Sequence, residues 1–328
     1  MPDKTYRSLE HAVVGRFAPT PSGRMHLGNV FSCLMAWLSA RSAHGRVVLR
    51  IEDLDPRAQD KAVADRLMAD LEWLGLPWDE GPYWQSERTD IYEDVVRRLS
   101  ELGLTYPCFC TRAELHAATA PHASDGTYLY AGTCRSLTPE QIAERARRRA
   151  PAMRLRVPDE GDPAGAIEFC DLAYGPQKEV LAHECGDFLV RRSDGVFAYQ
   201  LAVVIDDGLM GVNQVVRGRD LLESSARQTY LARLLGLEAP TYGHVPLLVA
   251  PDGRRLSKRD QDLDLGALRQ QGISSRRIIG ALAAAAGIAQ TGEEASPEEL
   301  RGRFSWEKIA AHRGDIVINH EFLLGLVG

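Results

Sequence analysis

Leu27, Val30, Phe31, Leu34, Met35 and Leu38 recur at the period of an amphipathic helix, and Gly45 stands where such a helix should stop. Short apolar runs flank it, His11 to Phe17 before and Arg46 to Ile51 (RVVLRI) after, each of strand length. Strand, helix and strand in that order imply a crossover, hence a parallel sheet under helices. Further helices are predicted over Ala58 to Leu74, Glu87 to Leu102, Pro139 to Arg149 and Leu221 to Leu235, and an alanine-rich one at Ala281 to Ala286. Strands are predicted at Met153 to Val157, Ile167 to Leu172, Phe188 to Arg192, Phe197 to Ile205, Val212 to Val216 and His244 to Val249. An irregular, cysteine-bearing middle reads as an insertion, after which the parallel pattern resumes.

A chain of 328 residues can bury one large core and a small second one. The first residues mix charge, histidine and proline, and no stretch approaches the roughly 20 apolar residues of a membrane span, so a soluble, intracellular protein without membrane contact is expected. Six cysteines are too few for a disulfide scaffold; closely spaced ones read as metal ligands or buried thiols. A net charge of −6 requires any RNA contact to come from a local basic surface.

Three groups of residues carry chemistry. Pro19-Thr20-Pro21-Ser22-Gly23 runs into His26-Leu27-Gly28-Asn29 at the start of the first helix. Backbone N–H groups at a helix N-terminus, a glycine that permits close approach and an imidazole donor suit a polyphosphate, with ATP the natural occupant; a plain turn capped by His26 is the alternative. Far along the chain, Arg254-Arg255-Leu256-Ser257-Lys258-Arg259 follows a Pro251-Asp252-Gly253 turn, and a loop carrying Ser257 and Lys258 could close over a triphosphate. Cys108-Phe109-Cys110 and Cys134 supply three thiols that match a closed zinc site given a fourth ligand, or else pack as reduced thiols. The basic run Arg145, Arg147, Arg148, Arg149, Arg154 and Arg156 could meet RNA phosphates or line a solvated helix face.

The first two groups, in this order and separation, resemble the two signature sequences of class I aminoacyl-tRNA synthetases. Arg16-Phe17-Ala18-Pro19-Thr20-Pro21-Ser22-Gly23, Arg50-Ile51-Glu52-Asp53-Leu54-Asp55-Pro56 and Val215-Val216-Arg217-Gly218 narrow the likeness, which runs from about Gly15 to Arg259, to the glutamyl branch. The resemblance implies an α/β fold: a Rossmann-type parallel-sheet catalytic domain in two halves, 1–104 and 191–260. An inserted zinc-knuckle α/β subdomain, 105–190, and a short helical C-terminal tail, 261–328, would complete it. His26, Gly28, Asn29, Ser257 and Lys258 would then bind ATP, with His26 and Lys258 catalytic and Mg²⁺ accompanying the nucleotide. Glutamate would lie along Arg16 to Thr20, by Phe17, Ala18 and Pro19, its ammonium held by Glu52 and the Thr20 hydroxyl. Its side-chain carboxylate would be clamped by Arg217 with Arg16 and Tyr199, where a guanidinium fork would reject the amide of glutamine. One structural Zn²⁺ would be held by Cys108, Cys110, Cys134 and Tyr130, the tyrosine by resemblance alone; His116, His122, Asp125 and Tyr128 are rival fourth ligands.

Two departures from the signatures are Asn29 in place of a histidine and Leu256 in place of a methionine. Only 70 residues follow Lys258, fewer than an ordinary anticodon-binding domain of roughly 100 residues or more. The architecture instead resembles a shortened branch of the family, and that resemblance implies a protein that activates glutamate and places it on the queuosine base of tRNA(Asp), expected to act as a monomer. The alternatives are a truncated synthetase charging the acceptor end, a small nucleotidyltransferase, or a degenerate relative that only binds a partner; retention of His26 and Lys258 favours an enzyme.

Overall fold

The computed structural model describes residues 12–115, 129–254, 256, 264–319, 322 and 326. The first strand, Val14–Phe17, leads through the helix Leu27–Ser42 to the second, Arg46–Ile51, and the third, Glu80–Trp84, joins its far side; all three run parallel. The helix keeps its apolar residues, Leu27, Val30, Phe31, Leu34 and Leu38, at 1 % exposure or less, so its stripe is fully seated on the sheet. Gly45 turns the chain back into the second strand. A Cβ there would lie 2.1 Å from the Val13 carbonyl oxygen, which instead accepts a hydrogen bond from Arg46 N.

A second group of strands continues the layer. Ala166–Asp171, Thr241–Val245 and Gln214–Gly218 are mutually parallel, with the antiparallel Gly175–Val180 at the outer edge. The two groups meet side by side. Asn213 makes the join: its side-chain oxygen accepts from Val14 N (2.8 Å) and its backbone N–H donates to Val14 O (3.1 Å), while Arg16 Nη1 donates to Val216 O (2.9 Å). Thr105–Cys108, Ala152–Leu155 and Phe188–Arg191 form a separate antiparallel sheet, while Ala166–Asp171 and Gly175–Val180, from the same stretch of chain, belong to the larger layer. Leu155 and Val190 of the separate sheet share a second core with Tyr92 and Val96 of the helix Thr89–Glu101.

Three expectations need correction. The run predicted as a strand at Phe197 to Ile205 is the helix Tyr199–Leu209. Leu201 to Ile205 are all buried, so no polar face marks the helical period, and Val203, Val204 and Ile205 raise strand propensity; packing against the helix Ser224–Leu235 decides otherwise. Three strands before the tail escaped the pattern, Glu80–Trp84, Thr105–Cys108 and Gly175–Val180, because each is an edge strand interrupted by a proline. The C-terminal tail is not helical throughout: after Ser275–Ala285 and Trp306–Ala311 it returns as a strand, Ile316–Val317, paired with Leu248–Val249. Ile278, Ile279 and Leu282 of the tail share the main core with Leu27 and Leu34. Among the described residues, no helix is long and apolar enough to cross a membrane.

The join between the strand groups rests on few bonds, and Val14 is buried. Replacing Asn213 with leucine should strand its N–H and lower the unfolding free energy by about 1–3 kcal/mol in urea denaturation. An unchanged midpoint and slope would show that Asn213 does not hold the halves together.

Candidate active site

A cavity of about 530 Å³ opens at the carboxyl ends of the strands, where the two groups meet, the usual ligand position in an open α/β sheet. Arg16, Phe17, Ala18, Pro19, Thr20, Glu52, Tyr199 and Arg217 all line it, as do His26, Gly28 and Asn29. Residues as far apart as Arg16 and Arg217 thus share one wall, because most of them follow or end a strand at the same sheet edge, while Tyr199 comes in at the start of the helix Tyr199–Leu209. Phe17 is 1 % exposed and packed in the core, so it offers the cavity its backbone. Ser257 and Lys258 lie outside the described residues, and so do the rival zinc ligands His116, His122, Asp125 and Tyr128; Leu256 lies in the cavity wall.

One end of the cavity is built for anions. His26 caps the 16-residue helix: its Nδ1 accepts from Gly28 N (3.1 Å), and Asn29 Oδ1 accepts from His26 N (3.3 Å). With Nδ1 accepting, the proton of the neutral ring sits on Nε2. No acid stands in the first helical turn, so the positive end of the helix dipole is uncompensated within the helix. Asn29, the departure from the signature, closes the capping box as well as lining the cavity. Cys33 also lines it, but burial pushes its thiol up to about 12, which makes it inert at neutral pH.

At the other end stands Arg217, 5 % exposed. Its Nε donates to His244 Nε2 (3.1 Å), Nη1 to Gln228 Oε1 (2.8 Å) and Nη2 to Ser225 Oγ (2.9 Å) and Leu221 O (3.2 Å). Nη1 also reaches Tyr199 Oη, at 3.5 Å, the longest of the five contacts. Four of the five N–H groups are therefore held at 3.2 Å or less and the fifth only loosely, by Tyr199, so a fork-on-fork approach of a carboxylate is closed. What the geometry offers is the Nη1 edge together with the Tyr199 hydroxyl.

Glu52 faces the same space above a buried charge cluster. Arg50, with no exposed surface, donates to Asp207 Oδ1 (2.7 Å) and Glu52 Oε1 (3.3 Å), and its Nε lies 3.8 Å from Asp206. Asp206 accepts from Arg88 (2.8 Å), Gln85 (2.9 Å) and Tyr92 (2.7 Å), and Asp207 lies 3.8 Å from Arg16 Nε. Burial raises the Glu52 carboxyl above its ordinary value, against the pull of Arg50 and Arg16, so a cation in the cavity would stabilise its ionised form.

The cysteine group lies apart from this cavity, in the inserted sheet. The sulfurs of Cys108, Cys110 and Cys134 fall within 4.8 Å of one another, Cys110 and Cys134 3.7 Å apart, and Tyr130 Oη is 3.5 Å from Cys108 Sγ and 3.8 Å from Cys110 Sγ. Around a tetrahedral zinc, sulfur and oxygen ligands lie roughly 3.5–3.8 Å apart, so the donor set fits such an ion. Burial opposes ionisation of Cys108, yet its hydrogen bonds with Tyr130 and Arg154 carry its pKa below the ordinary thiol value. Arg154 donates to Cys108 Sγ (3.3 Å) and lies over the Tyr130 ring. The basic run is accordingly split: Arg154 is buried and Arg156 donates to Arg135 O, while Arg145, Arg147, Arg148 and Arg149 are exposed.

Several residues of the site were not anticipated from the sequence. Arg50 and the Asp206–Asp207 pair were visible as charges inside apolar runs, a pattern that buried ion clusters produce. His244, Gln228 and Asp171 carry no comparable signal, since each is a lone polar residue brought in by tertiary structure.

The family model described as tRNA synthetases class I (E and Q), catalytic domain, matches residues 12–307. A protein of Symbiobacterium thermophilum named glutamyl-Q tRNA(Asp) synthetase is 48 % identical over 90 % of this chain and 93 % of its own length. One of Alkalilimnicola ehrlichii, named glutamate–tRNA ligase 2, is 42 % identical over 92 % of this chain and 68 % of its own. The crystal structure of a glutamate tRNA ligase from Elizabethkingia meningosepticum, in complex with its amino acid, superimposes with a TM-score of 0.78 at 27 % identity, covering 95 % of this chain and 68 % of that one.

Asp206 has no exposed surface and answers two arginines at once. An Asp206→Ala variant should lose about 3–5 kcal/mol of stability in urea unfolding, because it leaves buried positive charge uncompensated. A loss under about 1 kcal/mol would show the cluster to be dispensable.

Proposed function

Because the chain belongs to the class I tRNA synthetases of the E and Q branch, and is thereby a ligase, we propose that it activates glutamate with ATP and passes the glutamyl group to queuosine at the wobble position of tRNA(Asp). The observation that carries the activation step is the meeting in one cavity of a helix N-terminus, an acid and a guanidinium. Phosphates belong at His26, Gly28 and Asn29, with Ser257 and Lys258 as further nucleotide contacts. The substrate's ammonium belongs at Glu52 and Thr20, and its side-chain carboxylate at Arg217, Tyr199 and Arg16. Glutamine would present amide N–H groups to a wall whose nearest groups are N–H donors, which disfavours it.

Held there, the α-carboxylate attacks the α-phosphorus, pyrophosphate leaves, and glutamyl-adenylate forms; a hydroxyl on the queuosine cyclopentene ring then attacks the acyl carbon and AMP departs. His26 Nε2–H and Lys258 stabilise charge that grows on the phosphates, so catalysis is positioning plus electrostatics with no covalent enzyme intermediate. Mg²⁺ accompanying ATP would supply neutralisation of the phosphate charge. One structural zinc belongs at Cys108, Cys110, Cys134 and Tyr130, where it would hold the inserted sheet together. The tRNA partner implies a cytoplasmic setting. Two relatives at 48 % identity whose name states the queuosine-linked activity support that acceptor, whereas the relative named glutamate–tRNA ligase 2 supports charging of the terminal ribose.

Labelled glutamate and ATP, offered with tRNA from queuine-fed and queuine-starved cells, separate the two acceptors. Label should enter only the queuosine-bearing pool; equal labelling of both would assign the protein to the acceptor end. For the metal, elemental analysis of the purified protein should give one zinc per chain, with Cys134→Ala losing it and melting at lower temperature. Wild-type protein purified without chelator and free of zinc would contradict the assignment.

A further inference from the structure

The pose of Arg217 is set from behind by two residues that do not line the cavity, His244 and Asp171. All three are nearly inaccessible, at 5 %, 0 % and 1 % exposure. They stand on three neighbouring parallel strands: Arg217 on Gln214–Gly218, His244 on Thr241–Val245 and Asp171 at the end of Ala166–Asp171. His244 is directly opposite Arg217 in the register.

An arginine side chain has donors only and stays protonated, so its Nε–H, 3.1 Å from His244 Nε2, requires a lone pair on that nitrogen. The single proton of the neutral ring must then reside on Nδ1. There it meets Asp171 Oδ2 at 2.6 Å, the one arrangement in which both contacts are bonds. The carboxylate cannot turn away, because its other oxygen accepts from the backbone N–H groups of Ala173 and Tyr174, each at 2.9 Å. A proton on Nε2 would set N–H against N–H and push the guanidinium off its anchor.

We propose that His244, held in its Nδ1–H tautomer by Asp171, is a positioning residue that fixes Arg217 in the pose that receives the substrate's side-chain carboxylate. The inference rests on the reading of Arg217 given under Proposed function. The remaining Arg217 hydrogen bonds all fall on its two Nη atoms, and the Tyr242 ring lies 5.2 Å from Cζ, so the Nε bond is the third hydrogen-bonded point that holds the guanidinium plane against rotation about the Nη partners. Since only the Nη1 edge and the Tyr199 hydroxyl face an incoming carboxylate, a small rotation misdirects the contact.

Calorimetric titration of glutamate, and separately of ATP, into the full-length protein tests this. His244→Leu, which removes the acceptor, should weaken glutamate binding by about ten- to a hundredfold and leave ATP affinity within about threefold. His244→Gln, whose Oε1 can accept from Arg217, should recover most of the loss. Asp171→Asn keeps the shape, but its amide N–H groups face the imidazole, which moves the ring proton to Nε2; glutamate should weaken as in His244→Leu. These two variants report even where His244→Leu does not fold. Intact wild-type binding with glutamate affinity unchanged in Asp171→Asn or in a folded His244→Leu would overturn the inference alone, as would a His244→Gln variant that shows loss without rescue. A wild-type protein that binds ATP and no glutamate would overturn the reading of Arg217, and this inference with it.

Discussion

The structure is organised around a constraint at the sheet edge: charges that must face a ligand are held over charges that must not face water. Arg50 is fully buried on a strand, and Asp206 and Asp207 are buried on a helix that belongs to the later half of the chain. Neither side can stand alone, because an isolated buried ion costs several kcal/mol. The helix Tyr199–Leu209 is therefore tied to the first strands by ionic contacts, and with it Tyr199 is set over the cavity. Glu52 inherits its orientation from the same cluster through Arg50.

Fixed dipoles and charges aimed at one cavity spare the reaction much of the reorganisation that water would require. The helix at His26 carries its N-terminal dipole to one end, and Arg217, with four of its five donors held closely by protein, carries a guanidinium charge to the other. A guanidinium so completely bonded has little freedom left to lose when a ligand arrives. The cysteine group plays no part in this cavity; its contacts lie with the inserted sheet, through Arg154 and its neighbours.

Much of the fold could be read from the chain. The strand, helix, strand opening stood out because Leu27 to Leu38 keep a helical stripe and RVVLRI a buried strand. Legibility failed where periodicity fails: Tyr199–Leu209 is buried on all sides, and the edge strands Glu80–Trp84 and Gly175–Val180 are polar. At the site, Arg16 to Thr20, Glu52 and Arg217 were named because they sit in blocks that resemble a known family, and Tyr199 because that resemblance implies it; all of them line a single cavity. That the bidentate approach expected at Arg217 is closed was not legible, since the partners that occupy its donors, Gln228 and Ser225 on one helix and His244 on a strand, carry no local pattern. The basic run misled for a related reason: Arg154 lies on a strand whose inner face meets Cys108, and a count of charges along the chain cannot see which face a strand buries.

The central claim is that the cavity at the join of the two strand groups activates glutamate. It is tested most directly by exchange of radioactive pyrophosphate into ATP in the presence of single amino acids and magnesium. The account predicts exchange with glutamate and at most a trace with glutamine or aspartate. Absence of exchange with glutamate, or equal exchange with glutamine, would contradict it.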